Sequence, residues 1–170
     1  MSQAVGNVND WTHDGILAGR PLFNWDAARR MARNGMTFGA HTRSHPNLTA
    51  LPPEQVRAEV AGSKKELELA LATPIPVFAY PYGEHDTVSR SAVEESGFQA
   101  ACTVRPGVNT PSTGRYLLRR TEIHGCDSVP LFAMSLWLGV SVAQQLQDRS
   151  ASIRRLVIRG LRKVARLATV

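Results

Sequence analysis

His41 and His45 stand four residues apart in the stretch MTFGAHTRSHPNL, Met36 to Leu48, and Pro46 follows the second directly. Two imidazoles at that spacing can bring two neutral nitrogens to one divalent ion, from a helix face or from a strand-to-loop turn. The helical arrangement, H-E-x-x-H, needs Glu after the first histidine, and this chain has Thr42 there. Pro46 also disfavours helix through His45. The strand-to-loop turn fits better. Spacing by itself favours the plainer alternative, two polar histidines beside a turn, because a catalytic metal site ordinarily takes a third protein ligand.

The elements that must position these residues follow from local patterning. Asn24 caps a helix running to Asn34, with Trp25, Ala28 and Met31 at helical spacing and Gly35 as the stop. Met36 to Ala40 reads as a buried strand leading straight into His41. Leu51-Pro52-Pro53-Glu54 opens a helix that continues through Val56, Val60, Leu67 and Leu71 to Ala72 and is broken by Pro74 and Pro76. Val77 to Tyr80 is a second strand, ended by Pro81-Tyr82-Gly83. A helix capped by Asp86 or Thr87 runs through Val93 and stops at Gly97. Phe98–Val104 and Tyr116–Ile123 read as further strands, and Pro130–Gly139 as an apolar helix. Helices alternating with short strands give an α/β fold with a mainly parallel sheet, whose chemistry gathers at the carboxyl ends of its strands. His41 and Pro81-Tyr82-Gly83 both fall at such ends.

The chain has 170 residues and a formal charge of +6. Seven of its 20 Lys/Arg and none of its 14 Asp/Glu lie in residues 149–170, so residues 1–148 are close to neutral. That distribution removes the support for nucleic-acid binding by the globular part. Within the basic segment, Leu156, Val157, Leu161, Val164 and Ala168 recur at helical spacing, and arginines fill the remaining face. A helix of this kind suits peripheral contact with an anionic membrane through residues 150–170; docking on the body is the alternative. No secretory signal and no apolar run of bilayer-spanning length is visible. Cys102 and Cys126 carry no motif spacing and read as reduced thiols, which together favour a cytoplasmic protein.

His41-Thr42-x-x-His45-Pro46-x-Leu48, followed by Leu51-Pro52-Pro53-Glu54 and a charged helix, resembles the second motif of the polysaccharide deacetylase family, the NodB-homology group or carbohydrate esterase family four. Phe78-Ala79-Tyr80-Pro81-Tyr82-Gly83 resembles that family's third motif, in the variant of the branch acting on poly-β-1,6-N-acetylglucosamine. The resemblance runs from about Gly6 through Gly139. It implies a distorted (β/α) barrel and a metal-dependent hydrolytic N-deacetylation of an N-acetylated glycan. His41 and His45 become ligands of a divalent metal, usually zinc and sometimes nickel or cobalt. Thr42 and Ser44 support the loop by hydrogen bonding, and the Tyr82 backbone N–H becomes the oxyanion donor. Tyr80, Pro81 and Tyr82 are expected at the sugar.

The family's first motif, a strand ending in Asp-Asp, has no counterpart: the chain contains no Asp-Asp pair. The resemblance therefore begins partway into the domain, and the barrel is expected to be incomplete at its N-terminus. Asp10, His13 and Asp14 are the nearby groups able to stand in for the absent carboxylate. By the same resemblance His124 takes the place of the late general-acid histidine. Asp127 either orients His124 or caps the following helix, Arg119 and Arg120 form salt bridges, and His85 lies near the third motif. Residues 1–148 are thus expected to be the deacetylase-like domain and 149–170 a basic amphipathic tail. Two rival readings are a non-catalytic, carbohydrate-binding remnant and a membrane-surface adaptor.

Overall fold

A computed structural model describes residues 2–8, 19–123, 125 and 127–141. Among the described residues, four α-helices and two short strands follow in the order α1 (Trp25–Arg33), α2 (Pro53–Leu71), β1 (Val77–Ala79), α3 (Thr87–Glu95), β2 (Ala100–Cys102) and α4 (Val129–Leu138). Chain contacts divide these into two compact units, one of residues 1–105 with 109–119, the other of 106–108 with 120–170. The expected boundary at residue 148 lies outside the described residues.

Local chemistry sets the helix ends. Asn24 Oδ1 accepts the Ala27 N–H at 2.9 Å and starts α1. Pro52 and Pro53 start α2, where missing N–H groups cost nothing. Of the two expected caps for α3, Asp86 serves: its carboxylate accepts the Ser89 N–H at 2.8 Å, and Ser89 Oγ accepts the Asp86 N–H at 2.9 Å. The N-cap position of α4 is Ser128, which makes no side-chain cap bond, so Asp127 stands one residue before the position expected of it.

The first unit is organised on α2, which buries Val56, Val60, Ser63, Leu67 and Leu71 in steps of a helical turn. Against that stripe lie Ile75, Phe78, Tyr80, Val93, Phe98 and Ala101. Phe78 meets Phe98 and Tyr80 with ring centroids 5.3 and 5.4 Å apart. Lys64 and Glu68 pin the turn after α2: Lys64 Nζ donates to the Ile75 carbonyl at 2.8 Å, and Glu68 Oε1 accepts the Ile75 N–H at 3.1 Å.

β1 and β2 pair in parallel, Val77 opposite Ala100 and Ala79 opposite Cys102. Parallel bridges extend the array on both sides, Ala40 to Phe78 and Cys102 to Leu118. The four expected strand segments are therefore neighbours in sequence order, but two of them shrink to single bridges. Ala40 exchanges both backbone bonds with β1 at 2.9 Å, whereas Met36 is 55% exposed, so the apolar run 36–40 is pinned mainly at its carboxyl end. The described residues form a short open parallel array and close no barrel.

Candidate functional site

The carboxyl ends of adjacent strand segments carry the two motifs. Directly after Ala40, the His41 Nδ1–H donates to the Ala79 carbonyl at 2.7 Å. A carbonyl can only accept, so the proton sits on Nδ1 and the neutral ring offers its lone pair at Nε2. That nitrogen lies 3.1 Å from His45 Nε2. Two nitrogens each about 2.0–2.1 Å from one tetrahedral ion would stand roughly 3.3 Å apart, so the pair matches the bite of a divalent metal. The Ala79 carbonyl is the outer partner that a ligating imidazole usually has. Burial pushes the His45 imidazole below the ordinary histidine value, which favours the neutral, ligating form.

The turn between the histidines is tightly specified. Thr42 is buried, and its hydroxyl donates to the His41 carbonyl at 2.6 Å and accepts the His45 N–H at 3.0 Å. Thr42 (φ 60°) and His45 (φ 64°) both adopt the left-handed conformation, as does Tyr82 (φ 58°) across the site. For a β-branched threonine this is a rare conformation costing on the order of 1–3 kcal/mol, and such costs gather at functional sites. From outside, the Ser2 and Gln3 amides donate to the Thr42 and Arg43 carbonyls at 3.3 and 3.1 Å.

Pro81–Gly83 forms one 3₁₀ turn after β1. Tyr82 is 57% exposed, and its ring meets His45 edge-on at 4.8 Å between centroids. Among the described residues no acceptor is bonded to the Tyr82 N–H. The neighbouring Gly83 (φ 73°) is required by close packing as well as by conformation, because a Cβ there would stand 2.3 Å from Val104 Cγ2 and 2.8 Å from Val104 N.

Two expectations are corrected. Tyr80 has 0% exposure and points into the core between Phe78 and His85, and the Pro81 side chain is also fully buried. Neither offers a surface to a sugar; the strand ends at Ala79, and the 3₁₀ turn at Pro81–Gly83, with Tyr82 left-handed, leaves the Tyr82 side chain outward while Tyr80 stays in the core. Burial raises the Tyr80 hydroxyl to about 12, and among the described residues that hydroxyl has no hydrogen-bond partner. His85 packs against Tyr80 at 5.4 Å between centroids. His124, Asp10, His13 and Asp14 lie outside the described residues, and among those described no three His, Cys, Asp or Glu side chains cluster as a metal site.

Sequence reasoning missed Glu59. From α2 its Oε2 accepts the Arg43 and Ser44 amides at 2.8 and 3.0 Å, while Oε1 accepts the Ser44 hydroxyl at 2.8 Å. The available signal was Gly62, an isolated glycine inside a strongly helical segment and one turn from both Glu59 and Glu66.

A family model described as polysaccharide deacetylase matches residues 5–101, more than half of the chain. The putative polysaccharide deacetylase YxkH of Bacillus subtilis is 30% identical over 95 residues, which is 56% of this chain and 34% of YxkH. The deacetylase PplD of Streptococcus pyogenes superposes with a TM-score of 0.64 at 23% identity, over 67% of this chain and 50% of that one. The polysaccharide deacetylase BC0361 of Bacillus cereus superposes at 0.61 and 24% identity, over 68% of this chain and 37% of that one. These structures share its α/β fold. The chain thus spans between a third and a half of the length of these three relatives.

Proposed function

This chain belongs to the polysaccharide deacetylase family, and from that premise we propose that it forms the histidine-bearing part of a metal-dependent N-deacetylase of an N-acetylated glycan. The observation that carries the proposal is the convergence of His41 Nε2 and His45 Nε2 at 3.1 Å, with the His41 tautomer set by the Ala79 carbonyl. In this reading His41 and His45 hold a divalent ion, zinc in the first instance and nickel or cobalt as substitutes. When bound, the ion supplies a Lewis acid that polarises the acetyl carbonyl and acidifies water. Thr42 keeps the two imidazoles aimed at one point. The Tyr82 N–H donates to the oxygen on which negative charge develops, and the exposed Tyr82 ring offers a face to the sugar. The whole domain is then the distorted (β/α) barrel of the family, and His124 its general acid.

Metal content and acetate release test this reading. The full chain should hold zinc or cobalt, and His41→Ala or His45→Ala should abolish stoichiometric binding; unchanged metal in both variants would sink the ligand assignment. Acetate release from N-acetylglucosamine oligomers decides between the enzyme and the non-catalytic, carbohydrate-binding alternative.

A second reading concerns α4. No described helix is long and apolar enough to cross a membrane. Yet α4 exposes Val129 (80%), Trp137 (83%), Leu136, Met134 and Phe132, and the chain continues toward residues 149–170 with their seven Lys/Arg. Apolar side chains beside clustered cations favour peripheral contact with an anionic membrane. Flotation with phosphatidylserine vesicles should fall on deletion of residues 150–170 and on Trp137→Ser; equal flotation of all three proteins removes this reading.

A further inference from the structure

Three residues on one stripe of α2 shape the turn that carries the histidines. Glu59, Gly62 and Glu66 are spaced three and four residues apart, so they lie one above another on the helix. Glu59 takes the Arg43 and Ser44 amides on one oxygen and the Ser44 hydroxyl on the other. Gly62 leaves room for the Arg43 stem, since a Cβ there would stand 2.5 Å from Arg43 Cδ. Glu66 Oε1 then receives the Arg43 Nε–H at 2.7 Å, and its other oxygen receives the Ser2 hydroxyl.

The Arg43 and Ser44 amides lie between two residues held in the left-handed conformation, Thr42 and His45. Successive N–H groups beside a left-handed residue form a concavity that binds an anion. Here the anion is supplied by the protein, and charged acceptors make the stronger hydrogen bonds. The carboxylate is bound to the backbone of the ligand turn and lies on a rigid 19-residue helix. Those bonds oppose relaxation of the turn into an unstrained form in which the two Nε2 atoms diverge.

We propose that Glu59 is a positioning residue for the histidine pair: its carboxylate fills the amide concavity of Arg43 and Ser44 and so fixes the convergence of His41 and His45. The inference rests on the reading that this pair holds a divalent ion. Glu59 itself touches neither histidine ring; it acts through the backbone between them.

Two substitutions separate geometry from charge. Gln at position 59 retains the shape: its carbonyl oxygen can accept both amides and its NH₂ can donate to Ser44 Oγ. Ala removes all three bonds. In cobalt titrations of the full chain, Glu59→Ala should weaken binding by about 10–100-fold, the usual cost of losing an outer-shell support, and Glu59→Gln by less than about threefold. Wild-type affinity in Glu59→Ala overturns the proposal. The metal-free readout is hydrogen exchange: Glu59→Ala should expose the Arg43 and Ser44 amides while Val60 and Phe78 in the core stay protected. If the wild-type chain binds no cobalt, the metal reading fails, and exchange alone decides the positioning role: unchanged protection at residues 43 and 44 overturns it. Should Glu59→Ala fail to fold, Ser44→Ala replaces it, with a smaller loss of affinity expected and wild-type affinity counting against the proposal.

Discussion

The Thr42 hydroxyl accepts the His45 N–H at 3.0 Å while Thr42 itself is held, buried, at a φ of 60°. A strained residue is thus kept because its side chain closes the turn on which both histidines depend. Thr42→Val retains the shape and removes the acceptor, leaving the His45 amide unpaired at a cost of about 1–3 kcal/mol. Thr42→Ser keeps the acceptor and should stay within about 1 kcal/mol of wild type. Urea unfolding measures both, and cobalt affinity should follow the same order. A Val variant as stable and as tight-binding as the Ser variant would contradict this account.

Gly83→Ala should be among the most damaging single changes in the first unit. The new Cβ meets both the Val104 side chain and the Val104 backbone nitrogen, and the backbone is left-handed. Overpacking and conformational strain together cost roughly 2–5 kcal/mol. Val104→Ala should rescue only part of this in the double variant, because the clash with the backbone nitrogen remains. Full rescue in thermal unfolding would show that the side-chain contact alone matters.

Tyr80→Phe separates a core tyrosine from a sugar-binding one. The Tyr80 hydroxyl is buried and has no partner among the described residues, so its removal should be neutral or stabilising, by up to about 1 kcal/mol. Sugar affinity should be unchanged. A loss of affinity without a loss of stability would return Tyr80 to the substrate surface.

Asp86 gives the fold a defined acid sensitivity. Its carboxyl is held below the usual carboxylate range, first by the Ser89 N–H. A lowered folded-state value contributes stability that is present above the ordinary carboxylate value and is lost as pH falls through the folded one. Asp86→Ala should therefore cost about 1 kcal/mol at pH 7. That difference should shrink as pH falls below about 4 toward 2. Asp86→Asn, which caps without charge, should show a smaller pH dependence than wild type. A gap between Asp and Ala that does not narrow at all as pH falls through the carboxylate range would refute the assignment.

The helices were legible because their signals are local. Asn24 and Asp86 mark starts through bonds to residues within one turn, Pro53 through its fixed φ and missing N–H, and the spacing of Val56, Val60, Leu67 and Leu71 names the buried face of α2 without reference to any partner. Strand extents were less legible. Met36–Ala40 is as apolar as a buried strand, yet a strand is defined by its neighbours, and backbone pairing with β1 occurs at Ala40. For the same reason Tyr80 and Tyr82, two residues apart in one motif, were read together, although the 3₁₀ turn at Pro81–Gly83 sends one into the core and the other to the surface.

The sequence alone determined the family, the order of the elements and the four-residue spacing of His41 and His45, since residue type and short spacing carry all three. The convergence of the two Nε2 atoms was decided by tertiary structure, because it needs the Ala79 carbonyl 38 residues away to set the His41 proton. The role of Glu59 was decided there too. A carboxylate on an amphipathic helix reads as solvated until the fold brings a turn of bare amides 15 and 16 residues away onto it, and only then does electrostatics give it a task.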